Sequence, residues 1–209
     1  MTTVPDRAVT RTDVTTTRLR MHVRDTGAAG ADRGTVVLVH GNCSSSAFFH
    51  RLLGELPEGW RGLAPDMRGY GDTEVRPLDA TRGLRDMSDD VLSLLDALGI
   101  ERAAFVGHSA GAGVVMQLAI DHPDRVAQVL LEAPASPYGF GGTRDVDGTP
   151  TWPDFAGSGG GTANPEFAAA IASGDRSTDH PYSPLNVFRS LHVAPGAELV
   201  DEDLLLDSV

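Results

Sequence analysis

Apolar residues along this chain gather into short unbroken runs, separated by glycine-marked turns and by stretches in which they recur every three or four positions. The unbroken runs are TVVLVH (35–40), RAAFVGHS (102–109) and RVAQVLLEAP (125–134). A continuous apolar run is expected of a strand covered on both faces, so each predicts a buried strand. Residues 14–28, VTTTRLRMHVRDTGA, mix β-branched and polar residues in rough alternation and end near Gly27, which predicts one or two strands at a sheet edge. RGLAPDMRGYGDTE (61–74) begins as a short strand and passes into a glycine-punctuated loop. Between the runs the period lengthens. Phe48, Leu52, Leu53 and Leu56 predict a helix over SAFFHRLLGEL, introduced by the turn and cap residues GNCSSS. Leu84, Met87, Val91, Leu94, Leu95 and Leu98 predict a second, amphipathic helix stopped by Gly99. AGAGVVMQLAIDH (110–122) predicts a third, starting directly behind residues 102–109.

Strand, helix, strand, helix, strand at this spacing implies βαβ units, hence an α/β fold with a mostly parallel sheet flanked by helices. After Pro134 the character changes to Gly, Pro and Asp without a buried run. The expected organisation is a core over 1–134 and a helical lid insertion over 135–209, with short helices at 164–173, 183–192 and from Asp201, whose side chain would cap the last. GSGGG (157–161) lacks the following Lys-Ser or Lys-Thr of a phosphate cradle and reads as a loop.

Composition narrows the partners. The 209 residues are 41% hydrophobic and 22% charged, ordinary for a soluble globular protein. The formal charge of −12 argues against nucleic acid and anionic membranes. One cysteine, Cys43, precludes an internal disulfide. The first residues carry no apolar run, and no stretch approaches a membrane span, so the expectation is a cytoplasmic protein. No metal or cofactor is expected, because nothing resembles a ligand cluster such as H-x-x-x-H or paired cysteines.

The candidate chemistry sits in FVGHSAGAG (105–113). Gly107-His108-Ser109-Ala110-Gly111 matches G-x-S-x-G, with a buried strand before it and a helix after it. In that frame Ser109 stands on a sharp turn, and side chains at the flanking glycines would collide with neighbouring backbone. The helix amino end behind it favours developing negative charge. The alternative is a packing turn whose serine merely caps the helix. His40-Gly41-Asn42 ends an earlier strand at the same sheet edge. A tetrahedral intermediate needs two N–H donors aimed at its oxyanion. The backbone N–H of Ala110 is one candidate, and that of Asn42 or Cys43 the other, with His40 holding the turn.

In VVLVHGN, APDMRGYGDTE, VGHSAGAG and DHPDRV, taken in order, the chain resembles the α/β-hydrolase superfamily over about residues 14–135, nearest to its esterase and lactonase-like members with a lid. The resemblance implies structural roles for Asp66 and Arg68, and Thr73 stands where the family usually has serine. An aspartate at the elbow serves dehalogenases and epoxide hydrolases; Ser109 points away from both. The resemblance also implies a triad in the chain order nucleophile, acid, histidine, with the acid after a seventh strand and the histidine after an eighth. Neither strand is supplied.

Each of the seven histidines meets an objection as the base. His108 diverges from its neighbour on a sharp elbow, His40 belongs to the turn, and His122 ends the helix behind the serine. His22 lies on an edge strand and His50 on the first helix. His180 and His192 fall in polar loops of the lid, where they read as surface residues, although only they could lean over Ser109, and one of them serving as the base is the internal alternative. For the acid, Glu132 closes the third run, and a carboxylate buried there among leucines would be costly without a partner. The expectation is therefore a second polypeptide, most simply the C-terminal product of cleavage within the lid, completing the sheet as a heterodimer and donating the histidine and, with Glu132 the internal alternative, the acid. The function expected is a serine hydrolase of small-molecule carboxylic esters, lactones or thioesters. A non-catalytic binding protein and a perhydrolase of the haloperoxidase kind are the alternatives. Tyr138, Phe140, Trp152, Phe155, Phe167, Tyr182 and Phe188 either line an apolar substrate pocket or pack the lid together.

Overall fold

Alternation in Arg20–Asp25 turns Met21 and Val23 fully into the interior, and the strand they define pairs antiparallel with a neighbour on each side. The computed structural model describes residues 7–134, 147, 149, 164–194, 196–197 and 200–209. It divides into two units, 1–134 and 135–209.

In the first unit six strands form one sheet: β1 (Thr10–Thr15), β2 (Arg20–Asp25), β3 (Gly34–Val39), β4 (Trp60–Pro65), β5 (Ala103–His108) and β6 (Val126–Glu132). Their order is β1-β2-β4-β3-β5-β6. β1, β2 and β4 pair antiparallel, while β4, β3, β5 and β6 run parallel. The edge hairpin starts at Thr10, four residues before the alternation becomes visible in the sequence, and Thr16 closes its turn by accepting the N–H groups of Arg18 and Leu19.

A 3₁₀ turn (Ser46–Phe49) runs into a short helix α1 (His50–Gly54), followed by α2 (Arg85–Ala97) and α3 (Ala110–Asp121). The expected single helix over SAFFHRLLGEL is thus a 3₁₀ turn and one and a half turns of α-helix; Ser45 caps the former by accepting from the Ala47 N–H. α2 ends at Gly99, whose φ of +66° lets the Ile100 N–H return to the Leu95 carbonyl.

The core lies mostly on one sheet face, where Val37, Leu63, Phe105 and Met21 meet Leu94 and Leu95 of α2 and Val114 and Leu118 of α3. The opposite face is covered in part, by Phe49 and Leu53 against Val36 and Leu38. Beyond them an open apolar groove of about 530 Å³ is lined by Val36, Leu56, Trp60, Val106, Val129 and Leu130 among others.

The expectation of a buried third strand over 125–134 is corrected here. Val129, Leu130 and Leu131 are 41, 57 and 37% exposed. β6 pairs only with β5, and no described strand lies on its other side. Its apolar composition suits a covered strand, but burial depends on neighbours the run itself does not reveal.

In the second unit, α4 (Pro165–Ala172) is capped by the Asn164 side chain, and α5 (Pro184–Val187) by Ser183 before continuing as a π turn over Phe188–His192. Ala170, Leu185 and Phe188 are buried, and the Arg189–Glu202 and Arg176–Asp203 pairs tie in α6 (Glu202–Leu206). Asp201 does not cap α6 with its side chain; it stands left-handed at φ +58°, and its carbonyl opens the helix by accepting from Leu205. Tyr138, Phe140, Trp152, Phe155 and GSGGG lie outside the described residues. Among the described residues no helix is long and apolar enough to cross a membrane.

Candidate active site

Three consecutive close approaches shape the turn between β5 and α3. A Cβ on Gly107 would fall 2.6 Å from the Ala112 Cα, and one on Gly111 only 2.2 Å from the Val39 carbonyl oxygen. A Cβ on Gly41 would meet the His108 ring at 2.9 Å and the Ser109 Cβ at 3.1 Å. The end of β3, the end of β5 and the start of α3 are therefore in backbone contact. Ser109 sits at their junction with φ +53° and ψ −114°, a conformation L-residues rarely adopt and one that costs roughly 1–3 kcal/mol. Its N–H donates to the Glu132 carbonyl at 3.0 Å, so β6 holds the serine in place.

The amide groups around Ser109 are available. Among the described residues no hydrogen bond is made by the N–H of Ala110, Asn42 or Cys43. Ala110 is the first residue of α3, whose opening N–H groups have no intrahelical acceptor. Asn42 and Cys43 follow Gly41 directly, and Cys43 has a left-handed φ of +50°. The half-buried Cys43 thiol is pushed up in pKa by burial, which disfavours its thiolate.

His40 is fully buried beneath this turn. Its Nε2 accepts the Met67 N–H at 2.9 Å, which fixes the proton on Nδ1, and that N–H donates to the Gly41 carbonyl at 2.8 Å. Burial pushes its pKa below the usual histidine value. A neutral imidazole with both nitrogens engaged holds a turn; it has no lone pair for a serine.

The loop after β4 packs on the same turn. Tyr70 sets its ring edge-on to His40 at 5.2 Å, and its hydroxyl donates to the Asn42 side-chain oxygen at 2.6 Å. Asp66, 2% exposed, accepts the N–H groups of Ser46 and Asp72. Thr73 donates to the Asp66 carbonyl and accepts from the His22 N–H, so the hydroxyl is kept where the family usually has serine. Arg68 makes two bonds, of 2.7 and 2.8 Å, to the buried Asp90 of α2. Asp66 and Arg68 are structural. Tyr70 was not singled out by the sequence; the available signal was an aromatic in the GYG loop at the C-terminal edge of a parallel sheet.

The remaining histidines have other partners. His22 bonds Asp13, His50 meets the Arg24 guanidinium, and His122 caps the far end of α3. Within the second unit His180 accepts from the Tyr182 N–H and stands 3.6 Å from Glu166, while the His192 ring packs on Phe188. His108 pairs in register with Glu132 across β5 and β6. The Glu132 side chain is exposed, not buried among leucines, so the expected desolvation penalty does not arise; among the described residues nothing bonds its carboxylate. Among the described residues one metal-type trio occurs, His22, Asp66 and Asp72, with ligand atoms within 4.8 Å of one another. Both Asp66 oxygens already accept backbone N–H groups, His22 Nδ1 is taken by Asp13, and the buried Arg24 guanidinium alongside opposes a cation.

The model of the alpha/beta hydrolase fold matches residues 34–168, which include the elbow, the His40 turn and the Tyr70 loop. The chain belongs to the alpha/beta hydrolase fold family. It is 38% identical over 111 residues to RutD of Caulobacter vibrioides, a protein assigned as a carbamate hydrolase, covering 53% of this chain and 41% of that one. It is 36% identical over 116 residues to the 2-hydroxymuconate semialdehyde hydrolase of Pseudomonas sp. CF600, covering 54 and 39%. Among solved structures, Epoxide Hydrolase A from Mycobacterium thermoresistibile matches with a TM-score of 0.51 at 32% identity, over 59% of this chain and 39% of that one. The chain thus spans about two fifths of the length of these alpha/beta hydrolases.

Proposed function

We propose that this chain carries the nucleophile and oxyanion hole of a serine hydrolase acting on small-molecule carboxylic esters, with lactones and thioesters in the same class. The observation that carries the reading is the strained Ser109 elbow, whose Gly111 packs on the Val39 and His40 carbonyls and whose His108 and Ser109 side chains close on Gly41, with N–H groups on Ala110, Asn42 and Cys43 that make no hydrogen bond among the described residues. Ser109 Oγ attacks the acyl carbon and gives its proton to a histidine. The oxyanion takes the Ala110 N–H and that of Asn42 or Cys43. The intermediate collapses, the histidine protonates the departing alcohol, and water repeats the cycle to free the acid. A carbamate, named for RutD, is likewise attacked at a carbonyl carbon, which favours an acyl substrate. Epoxide opening in this superfamily uses an aspartate at the elbow, where this chain has serine.

The base is proposed to come from a second polypeptide, with Glu132 the acid candidate inside this chain. Two observations support this. His40 is committed to its turn, and β6 leaves apolar side chains exposed beside the apolar groove and an edge on which no described strand lies, as a strand awaiting a neighbour would. Residues 135–209 are proposed as a lid cut during processing, and the cytoplasm as the compartment.

A serine-directed fluorophosphonate tests the nucleophile. Labelling at Ser109 with ester turnover is expected, and Ser109→Ala should lose both, by about 10⁴-fold or more in rate. An alanine variant that keeps a tenth of the turnover refutes the mechanism, and a native protein that never labels favours a binding role. Native mass spectrometry tests the partner: a lone, esterolytic species of this chain's mass excludes a second polypeptide.

A further inference from the structure

We propose that Tyr70 is a positioning residue for the oxyanion turn, acting through the side chain of Asn42. The inference rests on the reading of Ser109 as nucleophile and adds to it the group that fixes the donor geometry. The Asn42–Cys43 turn is held at its base, where the buried Ser44 hydroxyl and His40 Nδ1–H both donate to the Gly41 carbonyl, and its exposed apex rests on Tyr70. Asn42 is exposed, and among the described residues the Tyr70 hydroxyl is the one hydrogen-bond partner of its side chain. Cys43 adopts a left-handed backbone that an L-residue does not favour, so the turn needs an outside constraint to keep both N–H groups aimed.

Tyr70 is built to supply it. Its hydroxyl meets Asn42 Oδ1 at 2.6 Å, a short bond for neutral partners. Its ring is wedged against His40, whose Nδ1–H holds the Gly41 carbonyl, the other end of the same turn. Its own N–H returns to the Met67 carbonyl, and the Met67 N–H bonds His40. The loop cannot drift, because Arg68 is clamped to Asp90 on α2 and Asp66 ties together Ser46 and Asp72. One phenol thus transmits the rigidity of α2 and β4 to the two residues beside Ser109. Burial, and next the Cys43 thiol, push the Tyr70 phenol up in pKa, so it stays a hydrogen-bond donor well into the alkaline range.

Tyr70→Phe keeps the ring against His40 and deletes only the hydroxyl. In the ester-hydrolysing protein the expected result is a fall of about tenfold in kcat and in the rate of fluorophosphonate acylation, with KM little changed. In an Asn42→Ala background the same substitution should have no further effect, because the contact it removes is already gone. An equal fall in both backgrounds, a change confined to KM, or no change in either overturns the proposal. The clamp is also read without catalysis, by NMR of the Asn42 side-chain amide and the Cys43 backbone amide in the full chain. Tyr70→Phe should shift both signals and speed exchange at Cys43; unaltered signals overturn the clamp. If native Ser109 fails to label while these signals move, the serine reading has failed and the clamp stands.

Discussion

Replacing Gly111 by alanine adds one methyl group to the molecule and should destabilise it although nothing is removed. The new Cβ would lie 2.2 Å from the Val39 carbonyl oxygen and 2.4 Å from that of His40. Ordinary contact begins at 3.4 Å, so α3 and the end of β3 must part by the difference, about 1.2 Å. The obstructing atoms are backbone in a central strand and cannot rotate away. Overpacking of this kind costs about 1–3 kcal/mol, and the rigid neighbours put it at the upper end. Alanine returns up to about 1 kcal/mol of helix propensity, leaving a net loss of about 2 kcal/mol. For a chain of this size that lowers Tm by about 4–8 °C. Gly113, two residues on, supplies the control: its added Cβ would meet only the Leu84 Cδ1, at 2.6 Å, the end of a side chain free to rotate. Gly113→Ala should therefore match or exceed the wild-type Tm. Thermal unfolding followed by far-UV circular dichroism reads both. Equal damage from the two variants, or a Gly111→Ala midpoint within about half a kcal/mol of wild type, would refute the reasoning.

Asp90→Asn removes the charge facing Arg68 and Arg18, takes from the 9%-exposed Arg68 its ion-pair partner, and should cost about 3 kcal/mol in urea unfolding. Glu55→Gln, which breaks the exposed Arg51–Glu55 pair, should cost under about 1 kcal/mol in the same assay. His40 is held neutral, with a folded pKa below its ordinary 6.5, so the unfolded chain binds its proton more readily. Its contribution is complete above pH 6.5 and is lost as pH falls from there through the folded value; His40→Gln should flatten that part of the stability–pH curve.

The buried strands β3 and β5, α2 and α3 were legible because each carries its own period and its own stop signal. Gly99 ends α2 by the same left-handed turn that makes glycine the expected residue there. The elbow was legible because Gly107 and Gly111 are required by contacts within a few residues and with one neighbouring strand. What escaped depends on distance along the chain. Tyr70 and Asn42 are 28 positions apart, and nothing in either segment announces the other. β6 read as buried because Val129-Leu130-Leu131 is apolar, whereas exposure is decided by what lies beside it. Asp201 has the composition of a cap but a left-handed backbone that turns its side chain away from the role.

The bond from the Ser109 N–H to the Glu132 carbonyl makes the elbow a tenant of the sheet's outermost strand. An edge strand with one neighbour opens at lower free energy than the centre of the sheet, so protection of the Ser109 amide against hydrogen exchange should report fraying of β6 rather than global unfolding. A segment that paired with β6 on the side away from β5, as the proposed second polypeptide would, should then narrow the ensemble of serine conformations by mass action, without touching the serine. The geometry around Ser109 is in that sense a variable set at the rim.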